Sequence, residues 1–133
     1  MVGLLIGASA TAVYASAAES RVYNFGPIGG YSYYNQATVE KTGDNVYYTA
    51  EIGSQNSGKI PVGYMSAGPR LFKGDALCKA SEMTYNSSAT ASMRVGTYGN
   101  CGSGIYNSRG ATEVFDGSGY RTYLTNVTPN INF

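Results

Sequence analysis

Residues 45–52, NVYYTAEI, alternate with a period of two. Val46, Tyr48, Ala50 and Ile52 fall on one side of an extended chain, and Tyr47, Thr49 and Glu51 on the other. Successive side chains of a strand point to opposite faces, so the pattern predicts a strand with one buried face. Residues 36–41, QATVEK, come just before it. The link Thr42-Gly43-Asp44-Asn45 carries residues that tolerate positive φ, which predicts a hairpin. Residues 90–97 alternate again, setting Ala91, Met93 and Val95 against Ser92, Arg94 and Gly96. Shorter strand-like runs occupy residues 21–25, 60–65, 70–72, 111–115 and 120–127. Residues 54–58, 99–104 and 116–119, rich in Gly, Ser and Asn, read as turns or loops. Past residue 17, no window of about a dozen residues keeps apolar positions at i, i+3, i+4 and i+7, so helices are not expected.

Strands this short, separated by Gly, Pro, Asn and Ser clusters, predict an all-β fold of two packed antiparallel sheets. The expectation is a small β-sandwich of jelly-roll or immunoglobulin-like layout, with a small β-barrel as the alternative. Composition agrees: the chain is rich in Gly and Tyr, and only 13% of its residues are charged. No internal repeat or linker divides it, so residues 18–133 are expected to form a single β-domain.

Residues 3–17, GLLIGASATAVYASA, form a short apolar run that ends in Ala15-Ser16-Ala17, matching the A-x-A pattern of signal-peptide cleavage. A helical signal peptide over residues 1–17 is therefore expected. The run is shorter than the roughly 20 apolar residues of a membrane span, so no stable span is expected after cleavage. No Lys or Arg precedes the run, which fits a start at Met1 inside a longer reading frame. In general layout the chain resembles small exported proteins of Gram-positive bacteria, and that resemblance implies a secreted, extracellular product. Cys78 and Cys101 are then expected to pair, because exported thiols oxidise. The formal net charge is +1, with nine basic residues scattered among eight acidic ones. Phosphate-backbone binding needs a basic stripe, so nucleic acid is not an expected partner. Nothing in the sequence sets an oligomeric state.

The chain has no histidine. Nucleophiles activated by imidazole have no base here, and two cysteines alone do not make a four-ligand zinc site. Ser66, Ser103 and Ser118 lie in glycine-rich settings, but none completes a G-x-S-x-G elbow. Lys59, Lys73 and Lys79 are available to a Ser-Lys pair, yet no spacing selects one of them. The carboxylates Glu40, Asp44, Glu51, Asp75, Glu82, Glu113 and Asp116 fall on solvent-facing strand positions or in turns and loops, the usual places of solubilising charge. The run Asp116-Gly117-Ser118-Gly119-Tyr120 lacks the further acids of a calcium loop. No cofactor, metal or catalytic residue is expected.

Tyrosine is the surplus: the chain has 13, against four phenylalanines and no tryptophan. In residues 29–36, GGYSYYNQ, extended backbone puts Tyr31 and Tyr33 on one face and Tyr34 on the other. Tyr47 lies on the polar side of its strand, beside Thr49. A tyrosine ring joins a flat apolar face to a hydroxyl and suits polar ligands such as sugars and peptides. Tyr31, Tyr33 and Tyr47 are therefore the candidate ligand-binding residues. The expected function is that of a small exported, non-enzymatic β-domain that binds a glycan, a cell-wall component or a protein. A secreted bacteriocin or toxin-like effector and a histidine-independent hydrolase are the alternatives.

Overall fold

The computed structural model describes residues 14–133; residues 1–13, most of the expected signal peptide, lie outside them. The described residues contain thirteen strands and no helix. These are β1 (Ala17–Glu19), β2 (Tyr23–Ile28), β3 (Tyr31–Thr42), β4 (Asn45–Ser54), β5 (Met65–Gly68), β6 (Arg70–Lys73), β7 (Ala76–Ala80), β8 (Thr84–Tyr85), β9 (Ser92–Gly99), β10 (Ile105–Ser108), β11 (Ala111–Phe115), β12 (Tyr120–Leu124) and β13 (Ile131–Asn132). They form three antiparallel sheets, one of five strands and two of four. The five-stranded sheet runs β9-β4-β3, with β1 and β2 both pairing with β3. The others run β13-β10-β6-β7 and β12-β11-β5-β8. The fold is an all-β sandwich and is not a closed barrel.

The predicted hairpin is its centre. β3 has 12 residues and β4 has 10, in register from Thr42↔Asn45 to Tyr33↔Ser54, and Gly43 supplies the positive φ (58°) of the turn. The stretches 29–36 and 36–41, separate in the sequence reading, fuse into this one long strand. Alternation then sends Tyr33, Ala37 and Val39 inward together with Val46, Tyr48, Ala50 and Ile52, all buried. One end of this inner face packs on the β5/β11 sheet, in a core of Phe25, Ile28, Tyr33, Ile52, Met65, Val114 and their neighbours. The other end packs on the β6/β10 sheet, in a core of Val39, Val46, Tyr48, Leu71, Tyr106 and Ile131. A single long sheet thus covers two small ones set side by side.

The chain crosses between the two small sheets four times: at Pro69 between β5 and β6, at residues 81–83 between β7 and β8, at Arg109-Gly110 between β10 and β11, and at residues 125–130 between β12 and β13. The first and third of these are tied together by Arg70 Nε, which donates to the Arg109 carbonyl at 2.9 Å. At Gly110 a Cβ would sit 2.6 Å from that of Ala50, so glycine is required for this close approach. Asn35 closes the layers across the middle: its Nδ2 donates to Thr112 Oγ1 (2.9 Å) and to the Tyr123 carbonyl (3.3 Å).

Cys78 and Cys101 form a disulfide with a Cα–Cα distance of 6.0 Å, inside the span such bonds require. The bond joins the turn after β9 to β7, an edge strand of the opposing layer. Replacing both cysteines with serine is expected to lower unfolding free energy by about 2–5 kcal/mol, read from urea midpoints under non-reducing conditions. A change below about 1 kcal/mol would show that the bridge does not constrain the unfolded chain. Tyr33 supplies a second test. Its ring is wholly buried and its hydroxyl has no hydrogen-bond partner among the described residues. Tyr33→Phe removes that uncompensated polar atom and keeps the ring, so stability is expected to stay level or rise by about 1 kcal/mol. A loss of that size would reveal a partner for the hydroxyl.

Candidate functional site

The outer face of the five-stranded sheet carries the residues that alternation turns away from the core: Gln36, Thr38 and Glu40 on β3, Tyr47, Thr49 and Glu51 on β4, and Arg94, Gly96 and Tyr98 on β9. Register sets Arg94 opposite Glu51, Gly96 opposite Thr49, and Tyr98 opposite Tyr47. Gly96 decides how this face packs. The Tyr47 hydroxyl lies where a Cβ at Gly96 would stand, so the Tyr47 ring lies down across the sheet over Gly96 and Thr49. Tyr98 closes the stack, its ring centroid 4.9 Å from that of Tyr47 at an interplanar angle of 46°. Tyr47 is half-buried, whereas Tyr98 is 56% exposed.

Glu51 is the polar anchor. Arg94 Nη2 meets its Oε1 at 2.6 Å, and the Tyr34 hydroxyl donates to its Oε2 at 2.5 Å. The carboxylate raises the Arg94 pKa by its hydrogen bond. Tyr34 is pushed up to about 12, first by burial and then by the hydrogen bond to Glu51. The Thr38 and Thr49 hydroxyls share a hydrogen bond of 2.5 Å. Beside this ordered patch lies a cleft of about 360 Å³ whose lining includes Glu19, Thr38, Glu40, Tyr47 and Arg94. Glu19 and Glu40 make no ion pair with any described residue.

A second aromatic row runs from Tyr31, at the start of β3, onto the opposite layer. Tyr31, Tyr64, Phe115, Tyr120 and Tyr85 follow one another with ring centroids 5.1–6.0 Å apart. At its end, the Tyr85 hydroxyl donates to Glu113 Oε1 at 2.7 Å, and the Tyr120 hydroxyl donates to the Gly63 carbonyl at 2.8 Å. These bonds leave Tyr85 and Tyr120 exposed but fixed in orientation.

The three tyrosines singled out in the sequence are therefore not one site. Tyr47 lies at the cleft, and Tyr31 is half-buried in the other aromatic row. Tyr33 is a core residue with 0% exposure, because the period of β3 turns it inward, and an external ligand does not reach it. Tyr98, Tyr85 and Tyr120 were missed. Extending the alternation of residues 90–97 by two positions puts Tyr98 in phase with Arg94 and Gly96, and that was the available signal. Of the candidate carboxylates, Glu40 lines the cleft and Glu51 is held by Arg94 and Tyr34. Glu113 accepts the Tyr85 hydroxyl hydrogen bond, whereas Asp44, Asp75 and Glu82 are exposed. Asp116 caps its own turn, and its pKa is drawn down to about 2 by the Ser118 backbone N–H and then by Arg121. Among the described residues, no group of three or more acids or cysteines stands ready to hold a metal.

The Tyr34–Glu51 pair has a testable titration. A tyrosine whose pKa is raised on folding contributes stability that is complete below the unfolded value near 10 and is lost as pH rises through about 12. Glu51→Gln removes the carboxylate but not the burial, so the Tyr34 pKa, followed by ring-carbon NMR, is expected to fall yet stay above 10. An unchanged value in the variant would remove Glu51 as a cause. Compared with known proteins, the chain matches no family model, no curated protein and no solved structure, so its function is argued from these faces alone.

Proposed function

We propose that the chain is a small exported β-domain that works by binding and not by catalysis, and that its ligand is an extracellular or cell-wall glycan held at the Tyr47 cleft. The observation that carries this reading is the cleft's composition. A half-buried tyrosine ring, already fixed by Gly96 beneath it and Tyr98 beside it, borders two carboxylates free of counter-ions and the Thr38 hydroxyl. A pyranose presents an apolar C–H face and a rim of hydroxyls. The ring offers that face a flat surface, and Glu19 and Glu40 accept from the rim in hydrogen bonds strengthened by their charge. Because Tyr47 and Arg94 are already held in place, less side-chain freedom is lost on binding.

Export is part of the proposal. It is supported by the apolar run with its A-x-A end and by the disulfide, which suits an oxidising compartment. Binding of the purified chain to a panel of cell-wall and extracellular polysaccharides tests the site. Tyr47→Ala is expected to weaken binding about ten-fold or more, equivalent to about 1.4 kcal/mol, while Tyr31→Ala on the other face leaves it unchanged. If Tyr47→Ala, folded by circular dichroism, binds as the parent does, the cleft is not the site.

A further inference from the structure

The outer strand of the five-stranded sheet, β9, has one side free, and the hydrogen-bond parity shows which groups that side presents. The Ser54 N–H donates to the Ala91 carbonyl at 2.8 Å, so odd-numbered residues of this stretch bond toward β4. Even-numbered residues bond the other way: Thr90 exchanges both backbone bonds with Ile60, at 2.8 and 3.2 Å. Beyond Thr90 that outer position is vacated. The Ser92 carbonyl accepts from the Thr90 side chain at 3.1 Å, and the N–H and C=O groups of Arg94, Gly96 and Tyr98 have no partner among the described residues. A groove of about 270 Å³ runs beside this stretch, between residues 84–88 and residues 93–95.

The other sheet edges are shorter or interrupted: β1 has three residues, β2 contains Pro27, and β12 has five residues. β8 and β13 have two residues each, and the β6/β7 pairing is broken by a register shift at Leu71/Phe72. β9 has eight residues and no proline, and its one charge, Arg94, is already paired with Glu51. Long unbroken edges are those that recruit another strand.

We propose that β9 is a self-association edge at which two copies of this chain join antiparallel about a two-fold axis through Gly96. In that register Arg94 of one copy faces Tyr98 of the other, Gly96 faces Gly96, and Tyr98 faces Arg94. The residues that pair are those with unpartnered backbone groups, so every one of these N–H and C=O groups finds its complement. On the outer face a cation stands beside an aromatic ring at both ends of the junction and no like charges oppose each other. On the inner face Val95 meets Thr97 and Met93 meets Gly99. The two five-stranded sheets become one continuous sheet with both Tyr47 clefts on the same side, a bivalent arrangement. The inference does not depend on what the clefts bind, because self-association is measured without ligand.

Sedimentation velocity over a range of concentrations tests it, with the parent chain expected to show a dimer. Tyr98→Lys sets like charges opposite each other twice and is expected to weaken dimerisation roughly ten-fold. Tyr98→Glu sets opposite charges there and is expected to preserve it. Leu77→Lys, on the exposed edge strand β7, is expected to change nothing. A parent that stays monomeric overturns the proposal, as does a pair of Tyr98 variants with equal effect or a dimer lost in Leu77→Lys. Amide exchange provides a readout that needs no variant. Protection of Arg94, Gly96 and Tyr98 is expected to rise with concentration, whereas Met93, Val95 and Thr97 are protected throughout. Concentration-independent exchange of the even set overturns the proposal too.

Discussion

The inner face of the β3–β4 hairpin is the constraint from which the rest follows. Its buried row, from Tyr33 to Val39 on one strand and from Val46 to Ile52 on the other, is long enough to seat two sheets in succession. Each fully buried large apolar side chain in such a row contributes about 1.5–3 kcal/mol, so the register is strongly held. Where the two small sheets meet, the row narrows to Ala37 and Ala50, and Gly110 enters against Ala50. Larger residues there would hold the layers apart where Asn35 must reach Thr112.

Because side chains alternate, that register also fixes the outer face. With Tyr48 and Ala50 locked inward, Tyr47 and Thr49 have only the solvent side, and Tyr48 pairs with Thr97 only if Tyr98 stands opposite Tyr47. The cleft is built on strands and not on loops, so its geometry inherits the rigidity of the core. Gly96 is where the two faces are reconciled: it weakens β9 as a strand, and the ring of Tyr47 fills the space it leaves.

The sequence was legible where clean alternation ran for five residues or more. β3, β4, β9 and β11, the turn at Gly43 and the outward placement of Glu40, Glu51 and Glu113 all followed from period and turn chemistry. β7 and β10 were not legible. Residues 76–80 have exposed apolar side chains on an edge and keep no clean alternation, and residues 105–108 are too few to show a period. The splitting of the opposing layer was hidden for a different reason. It depends on which strands meet across the core, and pairings such as Ala111↔Gly68 and Ser108↔Leu71 join residues far apart in the chain. The candidate site was half legible: polarity phase exposed Tyr47, but the inward turn of Tyr33 needed the register of β3.

Charge is scarce in this chain, and where it sits is informative for that reason. On the strands, Glu51 has Arg94 and Glu113 has the Tyr85 hydroxyl; in its turn Asp116 has Arg121 and backbone donors. Asp44, Asp75 and Glu82 lie outside the strands, where water solvates them. Glu19 and Glu40 fit neither group. They sit on paired strands, on the same face, and as diagonal neighbours, since Ala17 opposes Glu40 and Glu19 opposes Thr38. Like charges so placed repel across the ladder. Arg94, which lines the same cleft, is committed to Glu51, and Lys41 reaches instead over the Phe133 ring. A sheet that satisfies its other strand carboxylates and leaves two unpaired beside a fixed aromatic ring breaks its own rule at one place, and such local breaks collect at functional sites. Glu19 and Glu40 are both exposed, so water and salt screen this repulsion, and hydroxyl donors placed between the two carboxylates would relieve it further.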